Sequence, residues 1–156
     1  MKKLTFLTLA LTGALAFAQG STDPWAGTWK FDAAKSKLNG PAPKEEIVTS
    51  QPTGTDRLTV KYTIRGTAAD GTPINQTFDG KADGQPYPVM AGGEEMAKIT
   101  YHRDSVNQYT SYGVSPDGTT TNGTVTLSKD GKTITVQEHV KGPQGEFDQT
   151  VVYNKQ

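Results

Sequence analysis

Residues 25–36 read WAGTWKFDAAKS and carry the only two tryptophans of the 156-residue chain, four positions apart. The run from Trp25 to Phe31 reads as an extended strand. Asp32, which follows it, can cap a single helical turn over FDAAKSKLN. Beyond that point no stretch sustains a helical period. Short runs rich in Thr, Val, Ile and Tyr, residues that suit a pleated and half-buried surface, follow one another to the end of the chain. The two indoles therefore open a chain built of strands.

The strands show in their alternation. In LTVKYTIR, Leu58, Val60, Tyr62 and Ile64 share one face and Thr59, Lys61, Thr63 and Arg65 the other; KTITVQEHV and EFDQTVVY alternate in the same way. A period of two with one polar face marks antiparallel sheet with one side in solvent. Asn39-Gly40, Asp70-Gly71, Asp79-Gly80, Asp83-Gly84, Asp117-Gly118, Asn122-Gly123 and Asp130-Gly131 read as strand reversals. About nine strands are expected, near 26–32, 45–51, 57–66, 72–80, 96–103, 106–113, 118–128, 132–141 and 146–154, with a run at 85–89 broken by Pro86 and Pro88. Short links favour closure into a barrel over an open sandwich, because closure leaves no free edge. The expected fold is all-β: an antiparallel up-and-down barrel of about 8–10 strands with at most one short helical turn.

Ahead of this domain, MKKLTFLTLALTGALAFAQ has two lysines, an apolar run from Leu4 to Leu15 and the Ala16-Phe17-Ala18 pattern of a cleavage site. It reads as a secretory signal peptide over 1–18, leaving a barrel domain over 19–156 in the periplasm or outside the cell. The apolar run is too short for a membrane span, so no membrane insertion is expected. There is no cysteine, which excludes thiol chemistry and disulfides even in an oxidising compartment. Without Lys2 and Lys3, 14 basic residues face 16 acidic ones, a net charge of −2. That balance argues against nucleic acid and against anionic lipid as partners. It leaves a small molecule or another protein.

Gly27-Thr28-Trp29 at the head of a small strand-rich chain resembles the G-x-W signature of the calycin superfamily, which includes lipocalins and fatty-acid-binding proteins. WAGTWKF is similar to the first strand of the latter, and Val152-Tyr153-Asn154-Lys155 to their last strand. Overall the mature chain is most similar to small secreted bacterial proteins with a lipocalin-like barrel. The resemblance implies that Gly27, Trp29, Tyr153 and Lys155 form a structural signature. In it Trp29 plugs one end of the barrel, Lys155 packs its ammonium across the indole, and Trp25 lies beneath. The chain departs from the resemblance in having no room for the two helices that follow the first strand of fatty-acid-binding proteins.

A barrel of this size has room for one small ligand. The inward phase collects Leu58, Val60, Ile64, Ile99, Val125, Ile134, Val136 and Val151 together with the polar Gln76, Arg103, Gln108, Thr110, Glu138 and Gln149. Buried polar groups need partners, so these side chains suit a barrel mouth or a wet cavity, unless a bulge shifts the phase. The candidate ligand-contacting residues are Tyr62, Phe78, Tyr101, Arg103, Tyr112, Glu138 and Gln149. Arg103 can hold a carboxylate bidentately; it can equally pair with Glu138 or cap a strand beside Asp104. QPYPVMAGGEEMAKI is the least regular stretch. Its Tyr87, Met90 and Met96 can form a portal flap over the cavity, or an ordinary connection that covers the barrel end.

Neither histidine, His102 or His139, falls clearly on the inner phase, and no His/carboxylate cluster suggests a metal. There is no nucleophile elbow and no phosphate loop. No cofactor, no metal and no enzymatic activity are expected. Two readings remain: an exported barrel for an amphipathic or hydrophobic ligand, or a non-catalytic protein-interaction module, an inhibitor or envelope-associated factor, with a filled barrel.

Overall fold

The computed structural model describes residues 23–156; the expected leader at 1–18 lies outside them. Ten strands follow in order: β1 (Gly27–Phe31), β2 (Glu45–Ser50), β3 (Thr59–Thr67), β4 (Pro73–Lys81), β5 (Asp83–Ala91), β6 (Glu94–Ser105), β7 (Gln108–Val114), β8 (Thr120–Leu127), β9 (Thr133–Gly142) and β10 (Gly145–Lys155). Each pairs antiparallel with the next, and β1 pairs with β10, closing an up-and-down barrel. No helix occurs among the described residues. Asp32 does cap one turn: its Oδ1 accepts the amides of Ala34 and Lys35, and its carbonyl accepts that of Ser36 at 3.1 Å. This turn is fastened to the outside of β10, where Ser36 Oγ accepts the Val152 amide at 2.9 Å and Lys37 exchanges backbone bonds with Thr150. Val152, whose neighbours in β10 face inward, is buried there.

The turn dipeptides divide. Asp70-Gly71, Asp117-Gly118 and Asp130-Gly131 lie in reversals, where each aspartate accepts the amide two residues on at 2.9–3.1 Å. Asp79-Gly80, Asp83-Gly84 and Asn122-Gly123 instead lie within β4, β5 and β8. At Asp83-Gly84 the chain still turns, with Gly84 at φ +80° and Asp83 Oδ1 accepting the Gln85 amide at 3.0 Å, whereas Gly80 and Gly123 serve for close approach. A Cβ on Gly80 would meet the Tyr87 ring at 2.6 Å, and one on Gly123 would meet Ser111 Oγ at 2.5 Å.

The doubtful run at 85–89 is part of a strand, and the stretch read as a portal flap or an ordinary connection forms a hairpin instead. Asp83–Ala91 and Glu94–Ser105 are its arms, turned at Gly92-Gly93, with register shifts at Asp83/Pro86 and Val89/Met90. β5 is registered with β4 only through Val89–Ala91, so Pro86 and Pro88, which have no amide to donate, fall where that ladder is open. A register shift opposite Val89/Met90 leaves Met96 as the extra residue of β6.

The tightest packing is at one end. Trp25, Trp29, Ala82, Tyr109, Leu127 and Ile134 form a buried cluster. The outward phase is largely polar, as in Lys61, Asp79, Lys98, His139 and Asp148.

Candidate functional site

A cavity of about 350 Å³ occupies the barrel interior, running from Trp25 and Trp29 at the packed end to Met96, Gly113 and Thr121 at the other. Met96 is 40% exposed and marks the mouth. The volume falls at the low end of the range for small-molecule sites. Its size follows from β7, whose inward side chains after Tyr109 are only Ser111 and Gly113.

The wall is mostly aliphatic: Val48, Val60, Ile64, Val89, Ile99 and Val136 among others. One level is polar. Tyr101 is registered with Ser111, Ser111 with Gly123, Gly123 with Glu138, and Glu138 with Gln149, a lateral row across β6 to β10. Glu138 Oε2 accepts the Gln149 amide at 2.7 Å. The hydroxyls of Tyr62 and Tyr101 meet at 3.2 Å, and Tyr153 donates to Glu46 Oε1 at 2.5 Å. Burial pushes the Tyr101 phenol up to about 12 and raises those of Tyr62 and Tyr153 well above the ordinary value, so all three stay protonated at neutral pH.

Below this row the rings form a chain. Tyr62 stacks on Phe78 (5.2 Å), Phe78 meets Tyr101 edge-on (5.3 Å), Tyr101 meets Tyr109 (6.2 Å), and Tyr109 meets Trp25 (4.8 Å). Trp25 donates its indole N–H to the Val106 carbonyl at 2.9 Å. Trp29 is fully buried and donates to the Trp25 carbonyl at 3.2 Å, and the Lys155 ammonium lies 5.0 Å from its ring centroid. Gly27 opens β1 beside the Lys155 stem.

The expected ligand contacts are therefore partly together and partly not. Tyr62, Tyr101 and Glu138 line the cavity, Gln149 supports Glu138, and Phe78 lies buried behind Tyr62; Tyr153, expected only as part of the structural signature, lines the cavity too. Tyr112 is a correction. It is 44% exposed on the outer face, because Tyr109, not Tyr112, takes the inward phase of β7, which sends Gln108 and Thr110 outward as well.

Arg103 is a second correction. It does not line the cavity but ties the packed end, donating to the carbonyls of Arg57, Ser105 (3.1 Å) and Val106 (3.2 Å) and to the Tyr109 hydroxyl (3.0 Å). It neither faces a ligand nor pairs with Glu138. Tyr87 packs over Gly80 and against Phe78 and bonds Asp83, and Met90 is on the outer side of the hairpin with Asn75 and Thr77. Of the three flap residues only Met96 touches the cavity. Sequence reasoning missed Tyr109, Ser111 and Glu46; the first two become visible once β7 is read with its small residues inward.

No protein-family model and no curated protein sequence matches the chain. Solved structures do resemble it. A redesigned β-barrel is 16% identical with a TM-score of 0.51, over 85% of this chain and 92% of that one. A de novo designed fluorescence-activating β-barrel is 14% identical (TM-score 0.45, 87% and 97% covered), and a redesigned barrel bound to DFHBI is 13% identical (0.45, 85% and 95%). At such identities the likeness is one of fold.

Proposed function

We propose that this chain is an exported, non-catalytic carrier that holds one small amphipathic molecule inside a calycin-type barrel. The observation that carries the reading is the cavity: an aliphatic chamber crossed by a single polar row, the composition of a small-molecule site. Trp29 under Lys155 is the arrangement that the calycin resemblance implies for a plugged end. Export rests on the leader signature of residues 1–18. The absence of a catalytic role is supported by the placement of both histidines on the outer face, where each bonds carboxylates away from the cavity. A filled barrel acting through its loops is the competing reading, and an open chamber weighs against it. Native mass spectrometry of protein purified from its own host tests the proposal. A retained small molecule at one per chain supports it; a ligand-free protein that also fails to take up any apolar probe overturns it.

A further inference from the structure

We propose that the cavity takes a protonated amphipathic amine, with its apolar body on the aliphatic wall and its ammonium on Glu138. The inference rests on the carrier reading and gives it a ligand class.

Among the described residues the cavity wall contains no lysine, arginine or histidine, and Glu138 is its one carboxylate. One oxygen of that carboxylate, Oε2, receives the Gln149 amide; among the described residues Oε1 has no hydrogen-bond partner and no cationic side chain stands within 4.0 Å of the group. A neutral amide does not compensate a charge held in an apolar chamber, so the site favours a ligand that brings a positive one. A second feature points the same way into the chamber. Tyr62 and Tyr101 meet hydroxyl to hydroxyl, and each carries one hydrogen. Whichever donates, the other O–H is left without a protein acceptor and can donate to a ligand oxygen. Tyr101 is in the same lateral row as Glu138, with Ser111 and Gly123 in register between them.

The site therefore offers one anionic acceptor and one hydroxyl donor, the complement of an ammonium group with a neighbouring hydroxyl or ether oxygen. A fatty acid meets the opposite conditions. Its carboxylate would lie against Glu138 with no cation to receive it, since the Arg103 guanidinium is committed to three carbonyls and the Tyr109 hydroxyl at the packed end.

Isothermal titration of the chain with decylamine, decanol and decanoic acid at pH 7 tests the assignment. The expected order is amine, then alcohol, then acid, with the amine about tenfold or more tighter than the alcohol, as a charge-assisted bond requires. In Glu138→Gln the preference for amine over alcohol should collapse. Because the ranking is read on the unaltered chain, it decides the matter even if the variant folds poorly. Equal binding of amine and alcohol, or tightest binding of the acid, overturns the amine assignment and leaves the carrier reading standing. No binding of any of the three overturns both.

Discussion

The Lys155 ammonium, on the last strand, lies 5.0 Å from the centroid of the Trp29 ring, on the first. The seam that closes the barrel is short, with Trp29 to Phe31 registered against Lys155 to Tyr153. Closure there relies on side chains as well as on the ladder: the buried indole fills the end, its N–H is satisfied by the Trp25 carbonyl, and the cation covers its face.

Trp29→Ala should lower stability by about 3–5 kcal/mol, the range for losing a buried aromatic side chain. Lys155→Met should cost on the order of 0.5–1 kcal/mol, because it removes the charge and keeps most of the stem. Urea unfolding of both variants checks the pair. A Lys155→Met loss as large as that of Trp29→Ala would mean that the seam depends on the cation and not on the plug.

Much of this was legible in the sequence, for physical reasons that differ by element. β3, β9 and β10 alternate cleanly because one face meets the chamber and the other meets water, and their inner phase follows directly. β7 does not. In QYTSYGV two tyrosines lie on opposite faces, and the inward partners of Tyr109 are Ser111 and Gly113, which look like a solvent face. A packed core would have large residues there, whereas an empty chamber needs small ones. β5 was obscured by its prolines, which a strand tolerates where one of its ladders is open. Arg103 alternates with the inner wall, but carbonyls from the loop at 106 and from Arg57 claim it, and long-range backbone acceptors leave no mark in local sequence.

Filling β7 should separate fold from binding. A Cβ at Gly113 would find its nearest atoms at 3.6–3.9 Å, ordinary contact, so the backbone there accepts a side chain. Gly113→Leu should fold with stability within about 1 kcal/mol of wild type, cavity filling offsetting side-chain ordering, and should weaken uptake of an apolar amine about tenfold or more. Titration and urea unfolding read the two effects. Unchanged affinity would place the ligand elsewhere.

His139 gives the outer face a pH dependence. It bonds Asp148 at 2.7 Å and Glu146 at 2.8 Å, and these bonds raise its pKa above the ordinary 6.5. The protonated ring is favoured in the folded state, so its contribution is fully present below about pH 6.5 and fades as pH rises through the raised value. The unfolding midpoint of wild type should exceed that of His139→Gln by more at pH 5.5 than at pH 9. A gap that is constant across this range would show that the ring acts as a neutral spacer between β9 and β10.

Arg103 carries the last prediction, because it separates a structural cation from a ligand-binding one. Its guanidinium lies 5.3 Å from the centroid of the Tyr109 ring while it also donates to the hydroxyl of that residue and to three carbonyls. Tyr109 packs edge-on against Trp25, so the guanidinium braces the side chain that supports the plug. Arg103→Leu should therefore destabilise the barrel by about 2 kcal/mol, the scale of hydrogen bonds to a charged group left without its donor. It should not change the relative affinities of decylamine, decanol and decanoic acid, since no part of the side chain borders the chamber. Urea unfolding reads the first quantity and calorimetric titration the second. A selective loss of the acid with stability intact would return Arg103 to the ligand and displace Glu138 as the residue that sets the charge of the site.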